Sequence, residues 1–273
     1  MNKEVNKVVV LAGGYGTRMY PFTKVVPKEL LPIGNVPCIQ HVINECYYAK
    51  IREVIIVINN SKGILVDYFN RDKEKNTLYD EINSSMDIKF VFQSNKRGTA
   101  AAIYDCMDML NNESFGVIFP DELFLDNKSA IGQLKKSYEK VNVPIIGMKK
   151  IKKEDCHKYG IVDFDKDFTL KKIIEKPAKN EIISQYINCG RMILNGDIFA
   201  YFDKLQPVNN EYFLPHLLNK MIDKKIMCEV INGNRYDTGN VNDYFKAVVD
   251  FAYNVPELNQ YVKSKIIKND GDI

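Results

Sequence analysis

The 273 residues suffice for one large domain or a domain with an appended lobe, and 45% hydrophobic with 27% charged residues sits near the globular norm. A net charge of +3, from 38 basic and 35 acidic residues with no long basic run, argues against a nucleic-acid partner and requires any polyanion to be bound locally. No apolar stretch approaches the ~20 residues of a bilayer span, and no signal peptide follows Met1-Asn2-Lys3-Glu4, so a protein of the cytoplasm without a membrane partner is expected.

In chain order, the first half alternates short β-branched runs with segments of helical period. Val8–Leu11, Val54–Ile58, Ile88–Phe92 and Gly116–Phe119 are predicted as buried strands. Between them Cys38–Tyr48 places Ile39, Val42, Ile43 and Cys46 on one helical face, and Thr99–Leu110 does the same with Ala102, Ile103, Cys106 and Leu110. The second half is less regular: strands over Pro144–Met148, Ile161–Phe164, Leu170–Ile174 and Tyr186–Leu194. Helices are predicted over Asn195–Tyr201, Phe213–Asp223, Val241–Phe251 and Pro256 to about Ile267, before a polar, frayed tail Lys268–Ile273. The six cysteines, Cys38, Cys46, Cys106, Cys156, Cys189 and Cys228, have no Cys-x-x-Cys spacing and read as reduced packing residues. Strand–helix alternation predicts an α/β fold with a Rossmann-like mixed, mostly parallel sheet flanked by helices. With no repeat or low-complexity linker, the whole of 1–273 reads as one domain. Its nucleotide-binding half (about 1–125) and sugar-binding half (about 126–273) are expected to be fused over one cleft.

Ligands in such sheets sit beyond the carboxyl ends of the strands. Two segments leave predicted strands there: Ala12-Gly13-Gly14-Tyr15-Gly16-Thr17-Arg18, and Pro120-Asp121. Glycines allow phosphates close to backbone N–H groups, and Arg18 with Lys28 supplies cations beside them, so the turn reads as a triphosphate site. It is not a dinucleotide fingerprint, because Met19 stands where a third glycine is needed, and not a P-loop, because neither Gly14 nor Gly16 precedes Lys.

Two lone aspartates at strand exits suit Mg2+, which takes few carboxylates and completes its shell with phosphate and water. Asp121 is the first, with a surface turn as its alternative; Asp237, before Thr238-Gly239-Asn240, is the second, with a helix N-cap as its alternative. Glu175-Lys176-Pro177 ends a strand, and the proline is expected to keep both preceding side chains extended and outward. There the carboxylate can take sugar hydroxyls and the ammonium a phosphate, unless both are simply a solvated strand end. Gly160 and Gly190 give close backbone approach to this second ligand, or mark strand bulges. Gln93 and Gly98 lie between a strand and a helix, and a glutamine amide can read a uracil or thymine edge, though a flipped amide would suit cytosine.

Gly13-Gly14-Tyr15-Gly16-Thr17-Arg18 with Pro27-Lys28-Glu29-Leu30-Leu31-Pro32 resembles the signature of sugar-1-phosphate nucleotidyltransferases. Ile39-Gln40-His41-Val42-Ile43-Asn44-Glu45, Tyr159-Gly160-Ile161-Val162, Glu175-Lys176-Pro177, Asn210-Glu211 and Asp237-Thr238-Gly239-Asn240 extend the likeness across nearly the whole chain. They resemble the bacterial-type UTP–glucose-1-phosphate uridylyltransferases. That resemblance implies UTP and glucose 1-phosphate as substrates. It puts the Arg18 and Lys28 positions on the triphosphate, Asp121 and Asp237 on Mg2+, Glu175 and Lys176 on glucose and its phosphate, and Gln93 on uracil. Arg18, Lys28 and Lys176 would then be catalytic, with Ala12, Gly13, Gly14 and Gly98 lining the nucleotide. A homo-oligomer, dimer or tetramer, is expected. Three features depart from the pattern: Leu11-Ala12-Gly13-Gly14 is the thymidylyltransferase form, Lys96-Arg97-Gly98-Thr99-Ala100 replaces Gly-Leu-Gly-His-Ala, and the stretch between Asn70 and Ile88 is short. The alternatives are dTTP or another sugar 1-phosphate, and a nucleotide-sugar sensor without catalysis.

Overall fold

The computed structural model describes residues 4–70, 77–125 and 129–267. The predicted frayed tail Lys268–Ile273 lies outside them, as do residues 71–76 of the shortened stretch. The chain lays down β1 (Lys7–Leu11), the small hairpin β2 (Pro32–Ile33) and β3 (Val36–Pro37), α1 (Cys38–Tyr48) and β4 (Glu53–Ile58). It continues with α2 (Gly63–Asn70), α3 (Leu78–Ser84), β5 (Asp87–Phe92), α4 (Thr99–Tyr104), α5 (Met107–Leu110), β6 (Phe115–Ile118) and β7 (Glu122–Phe124). Then come α6 (Ala130–Val141), β8 (Ile145–Lys150), β9 (Gly160–Phe164), β10 (Leu170–Glu175) and β11 (Tyr186–Leu194). Last are α7 (Leu214–Lys220), β12 (Met227–Val230), β13 (Arg235–Asp237), α8 (Val241–Asn254) and α9 (Pro256–Ile267).

The main sheet runs β10-β9-β11-β6-β1-β4-β5, with β8 and then β12 attached at β11. β1 pairs in parallel with β4 on one side and β6 on the other, and β4 with β5. β11 runs antiparallel to β6, which joins strands of the two halves in one sheet. Alternation along the strands divides the core. Val8, Val10, Val54, Ile56 and Ile58 pack with α1 and α6, whereas Val9, Ile55 and Val57 pack with α4 and α7 on the opposite face. All six cysteines are buried and unpaired. No helix among the described residues is long and apolar enough to cross a membrane.

Some predicted helices change. Thr99–Leu110 is two helices, because the Asp105 carboxylate accepts the Ser94 N–H at 2.9 Å and Cys106 leaves the α region (φ −98°, ψ 1°). Asn195–Tyr201 is instead a 3-10 helix over Gly196–Lys204, and α7 stops at Lys220 rather than Asp223.

One buried ion pair ties these layers to the strand exits. Arg191 of β11 is fully buried, with Nε 3.1 Å and Nη2 2.7 Å from the two carboxylate oxygens of Glu45 on α1. Glu45 also accepts the Ile131 N–H at 2.7 Å, and Arg191 Nη1 donates to the Phe119 carbonyl at 3.1 Å, just ahead of Pro120-Asp121. Breaking such a pair from one side strands the other charge. Glu45→Gln is therefore expected to cost about 3–5 kcal/mol in urea unfolding at unchanged slope. A loss under about 1 kcal/mol would show that the pair does not hold the layers together.

Candidate active site

The strand order reverses at β1, between β4 and β6, which opens a crevice at the carboxyl edge. The glycine turn leaves β1 there, Asn59-Asn60-Ser61-Lys62 leaves β4, Gln93 follows β5 and Phe119-Pro120-Asp121 follows β6. Gly16 takes φ +67°, open to glycine at little cost, and its carbonyl accepts the Thr23 hydroxyl at 2.7 Å. The chain then enters the 3-10 turn Thr17–Met19, anchored by buried Met19, which projects Arg18 outward. A second 3-10 turn, Lys28–Leu30, brings in Lys28.

These two cations meet the two aspartates. Lys28 Nζ forms an ion pair with Asp121 Oδ2. Arg18 spans both acids, its Nη1 lying 3.3 Å from Asp237 Oδ2 and its Nη2 3.8 Å from Asp121 Oδ2. The exits of β6 and β13 are zipped together beneath them: Thr238 N–H donates to the Asp121 carbonyl at 2.7 Å, and Glu122 and Asp237 face each other across the β7–β13 pair. Burial alone would pull the Lys28 ammonium down, but the Asp121 and Glu29 charges hold it above the usual lysine value. For Asp121 burial pushes upward and is overcome by Lys28 and Arg18, so the carboxyl stays below its ordinary range. The N-cap of α8 is Asn240, whose side chain accepts the Asp243 N–H at 3.0 Å, so the N-cap alternative for Asp237 does not apply.

A cleft of about 480 Å3 adjoins this cluster, walled by Gly13, Gly14, Tyr15, Gln93, Gly98 and Glu211 among others. Ala12 lies buried at the end of β1. Gln93 Nε2 donates to the Gly98 carbonyl at 3.1 Å and the Lys96 carbonyl at 3.3 Å. Both amide hydrogens are thereby committed, and Oε1 is turned toward Gly13. Gly98 takes φ +100°, and a Cβ there would stand 2.4 Å from the Tyr212 carbonyl oxygen, so the wall accepts glycine alone.

Gly160, Glu175 and Lys176 form a third group on the antiparallel β9–β10 pair, where Gly160 faces Glu175. Glu175 is half-buried; burial pushes its carboxyl above the ordinary value, partly offset by Lys176 and His216. The expected extended geometry fails at Lys176. The residue is exposed and takes φ +44°, with its N–H donated to the Tyr159 carbonyl at 3.1 Å, and that bond overrides the extended preference before proline. Tyr159 also links this group to the charged cluster. Arg235 lies 4.4 Å over its ring and grips both carboxylate oxygens of Glu122, the neighbour of Asp121. Gly190 sits at a register shift of β11 on β8, with φ +70°. A Cβ there would lie 2.8 Å from Phe119 and 2.9 Å from Glu122, so the bulge admits the β6 exit rather than an open ligand.

Sequence reasoning missed Tyr15, Asn59, Lys62, Arg97, Glu122 and Arg235 around these groups. The polar run Asn59–Lys62 straight after an apolar strand was the available signal for two of them. Among the described residues no cluster of three or more His, Cys, Asp or Glu side chains is arranged to hold a metal, so the protein would offer an ion the Asp121–Asp237 pair. A Cβ on Gly239 would lie 2.6 Å from Asp121 Oδ2 and 3.0 Å from Asp237 Oδ1, so both acids converge on one small space.

A sheet switch point that gathers cations, carboxylates and a glycine turn suits the phosphates of a nucleotide. Residues 7–253 match the nucleotidyl transferase family, and the chain belongs to it. It is 30% identical to the UTP–glucose-1-phosphate uridylyltransferase of Staphylococcus epidermidis, over 97% of this chain and 98% of that protein. The Bacillus subtilis protein of the same name is also 30% identical, over 94% of each. A crystal structure of UDP-glucose pyrophosphorylase complexed with UDP-glucose superposes with a TM-score of 0.85 at 30% identity, covering 90% of this chain and 98% of the other.

The same small space makes Gly239 the sharpest single probe of the cluster. A methyl there would also stand 2.8 Å from Arg18 Nη2, so Gly239→Ala is expected to push the charges apart. Turnover should fall at least ~10²-fold while the melting temperature moves by only a few degrees. Full activity in that variant would show that the four charges do not act at one point.

Proposed function

We propose that this enzyme transfers the uridylyl group of UTP to glucose 1-phosphate, forming UDP-glucose and releasing pyrophosphate. The observation that carries the reading is the meeting of Arg18, Lys28, Asp121 and Asp237 beside the Gln93 cleft. A phosphate monoester has a second pKa of about 6, so the attacking sugar-phosphate oxygen is largely deprotonated at neutral pH and needs no strong base. It attacks the α-phosphorus in line. The new P–O bond forms as the bond to pyrophosphate breaks, and Arg18 and Lys28 offset the charge gathering on the departing oxygen.

These cations hold the two acids, and on this reading phosphate oxygens would take the acids' place as their partners. Asp121 and Asp237 would hold Mg2+ through hard carboxylate oxygens that converge beside Gly239. Bound there, the ion supplies neutralisation of phosphate charge. Gln93 sets the base. With both N–H donors held by Lys96 and Gly98, it presents an acceptor, which matches the N3–H of uracil or thymine and repels the bare N3 of cytosine. On this reading Gly13, Gly14 and Gly98 line the nucleotide, Glu175 accepts glucose hydroxyls in the space that Gly160 leaves, and Lys176 holds the sugar phosphate. The left-handed backbone of Lys176 is the kind of strain that the surrounding structure sustains at a site.

Pyrophosphate release with glucose 1-phosphate, measured across UTP, dTTP, CTP, ATP and GTP, tests the assignment. UTP should be fastest, CTP should be poor, and a chelator should stop the reaction. Arg18→Ala and Lys28→Ala should each lower kcat by at least ~10²-fold. Silence with every nucleotide would sink the reading, and a preference for dTTP would change its base.

The raised Glu175 carboxyl adds a pH signature. The ionised form accepts hydroxyls and exists above its pKa, so affinity for glucose 1-phosphate should fall as pH drops, starting higher than an ordinary carboxylate would allow. In Glu175→Gln only the substrate's own ionisation near pH ~6 should remain, with KM for UTP unchanged. Identical pH profiles for parent and variant would remove Glu175 from the sugar site.

A further inference from the structure

Two buried donors grip carbonyls of the glycine turn, Lys62 from beneath and Asn59 from the cleft wall. Lys62 is 4% exposed, and its Nζ lies 2.7 Å from the Ala12 carbonyl and 2.7 Å from Glu29 Oε2. Asn59 is 9% exposed and donates Nδ2 to the Gly13 carbonyl at 2.7 Å, while its Oδ1 accepts the Ser61 N–H at 2.9 Å. Because a trans peptide is planar, the carbonyl of one residue and the N–H of the next point in opposite directions. An Ala12 carbonyl drawn to Lys62 therefore turns the Gly13 N–H away from it. A Gly13 carbonyl drawn to Asn59 does the same for the Gly14 N–H. Among the described residues neither N–H has a hydrogen-bond partner, and both glycines wall the cleft.

Glu29 extends the arrangement. It is 1% exposed and adjoins Lys28, so the one Lys62 ammonium ties the turn after β1 to the turn that presents Lys28. Nothing else about Lys62 suits a surface lysine, since burial disfavours its charge and Glu29 opposes that loss.

We propose that Lys62 and Asn59 are positioning residues that orient two consecutive peptides so that the N–H groups of Gly13 and Gly14 face the nucleotide, with Glu29 coupling that orientation to Lys28. The proposal rests on the nucleotide reading above. Lys62 is not part of the cleft wall, whereas Asn59 also lines it; the proposed action of each is through the carbonyl it holds.

The test uses full-length enzyme and three variants. Asn59→Ser keeps a hydroxyl acceptor for the Ser61 turn but is too short to reach the Gly13 carbonyl. Lys62→Met keeps the stem without the ammonium, and Glu29→Gln/Lys62→Met removes the stranded carboxylate as well. Calorimetric titration with UTP alone, KM for each substrate, and melting temperature are measured for all. The expected result is UTP affinity weaker by about tenfold or more in Asn59→Ser and in the double variant, as for a lost hydrogen bond to a charged ligand. KM for glucose 1-phosphate should change by less than about twofold, and Asn59→Ser should melt within a few degrees of the parent. Unchanged UTP affinity in both would overturn the proposal, and so would equal losses for both substrates with a lowered melting temperature. Should the lysine variants not fold, Asn59→Ser decides alone. Failure of the functional reading is separable, because a parent that binds no UTP fails before any variant is made.

Discussion

The charged cluster at the strand exits depends on four charges that cancel. At 4 Å two like charges repel by about 4 kcal/mol at the effective dielectric of a protein surface, so neither Arg18 with Lys28 nor Asp121 with Asp237 is easily assembled alone. Interleaved, each cation lies against an acid. The four residues come from four places: two 3-10 turns of the first half, the exit of β6, and the exit of β13. Their meeting therefore requires the β7–β13 pair and the β6–β11 pair, which carry the second half of the chain back across the first. The fold thus gathers the four charges at one place, with Lys28, Asp121 and Asp237 largely buried and Arg18 exposed above them.

That cluster rests on a layer of buried polar groups whose targets are mainly backbone. Arg191 holds the Phe119 carbonyl, Thr238 the Asp121 carbonyl, Lys62 the Ala12 carbonyl and Asn59 the Gly13 carbonyl. Each fixes a peptide plane next to a functional residue. A buried charge that merely stabilised the fold would be replaceable by packed hydrophobic groups at little cost. A donor to a carbonyl at a strand exit has a second consequence, because it decides where the following residue points.

β1, β4 and β6 were legible as short apolar runs buried on both faces, and α1 was legible because Ile39, Val42, Ile43 and Cys46 keep helical spacing. β5 was found by a similar run, but it is an edge strand of half-buried and exposed residues rather than the buried strand expected. α2, α3 and α6 were overlooked, although Thr77 with Asp80 spells the reciprocal cap that starts α3. The two-residue hairpin and the short strands β7, β12 and β13 carry too few residues for any period. For the candidate site, residue type and position after a strand singled out Arg18, Lys28, Asp121, Asp237 and Gln93, and the structure brings the first four together. The partners that orient them were not legible, since Lys62 reads as an ordinary surface lysine and Arg191 as one more polar residue in a strand. Only tertiary contacts 50 and 146 residues away in the chain reveal their roles. Lys176 shows the reverse failure: a sound local rule about the residue before proline was overruled by one hydrogen bond from another strand.

The glycines of the site point to a further constraint. Glycine is usually invoked for positive φ, as at Gly16 and Gly98, yet Gly13, Gly160 and Gly239 need none. At each, the space where a Cβ would stand is already taken by a polar oxygen: Gln93 Oε1 at 2.6 Å, Glu175 Oε2 at 2.8 Å and Asp121 Oδ2 at 2.6 Å. A side chain and its facing glycine thus form one unit, with the glycine supplying the volume into which the functional oxygen is set. On the proposed reading the three units would stand beside the base, the sugar and the phosphates. The same device recurs because an acceptor next to bare backbone is reachable by a ligand without losing the wall behind it. Substituting these glycines and substituting their partner oxygens should consequently act at the same locus, whereas Gly190, filled by Phe119 and Glu122, belongs with the framework.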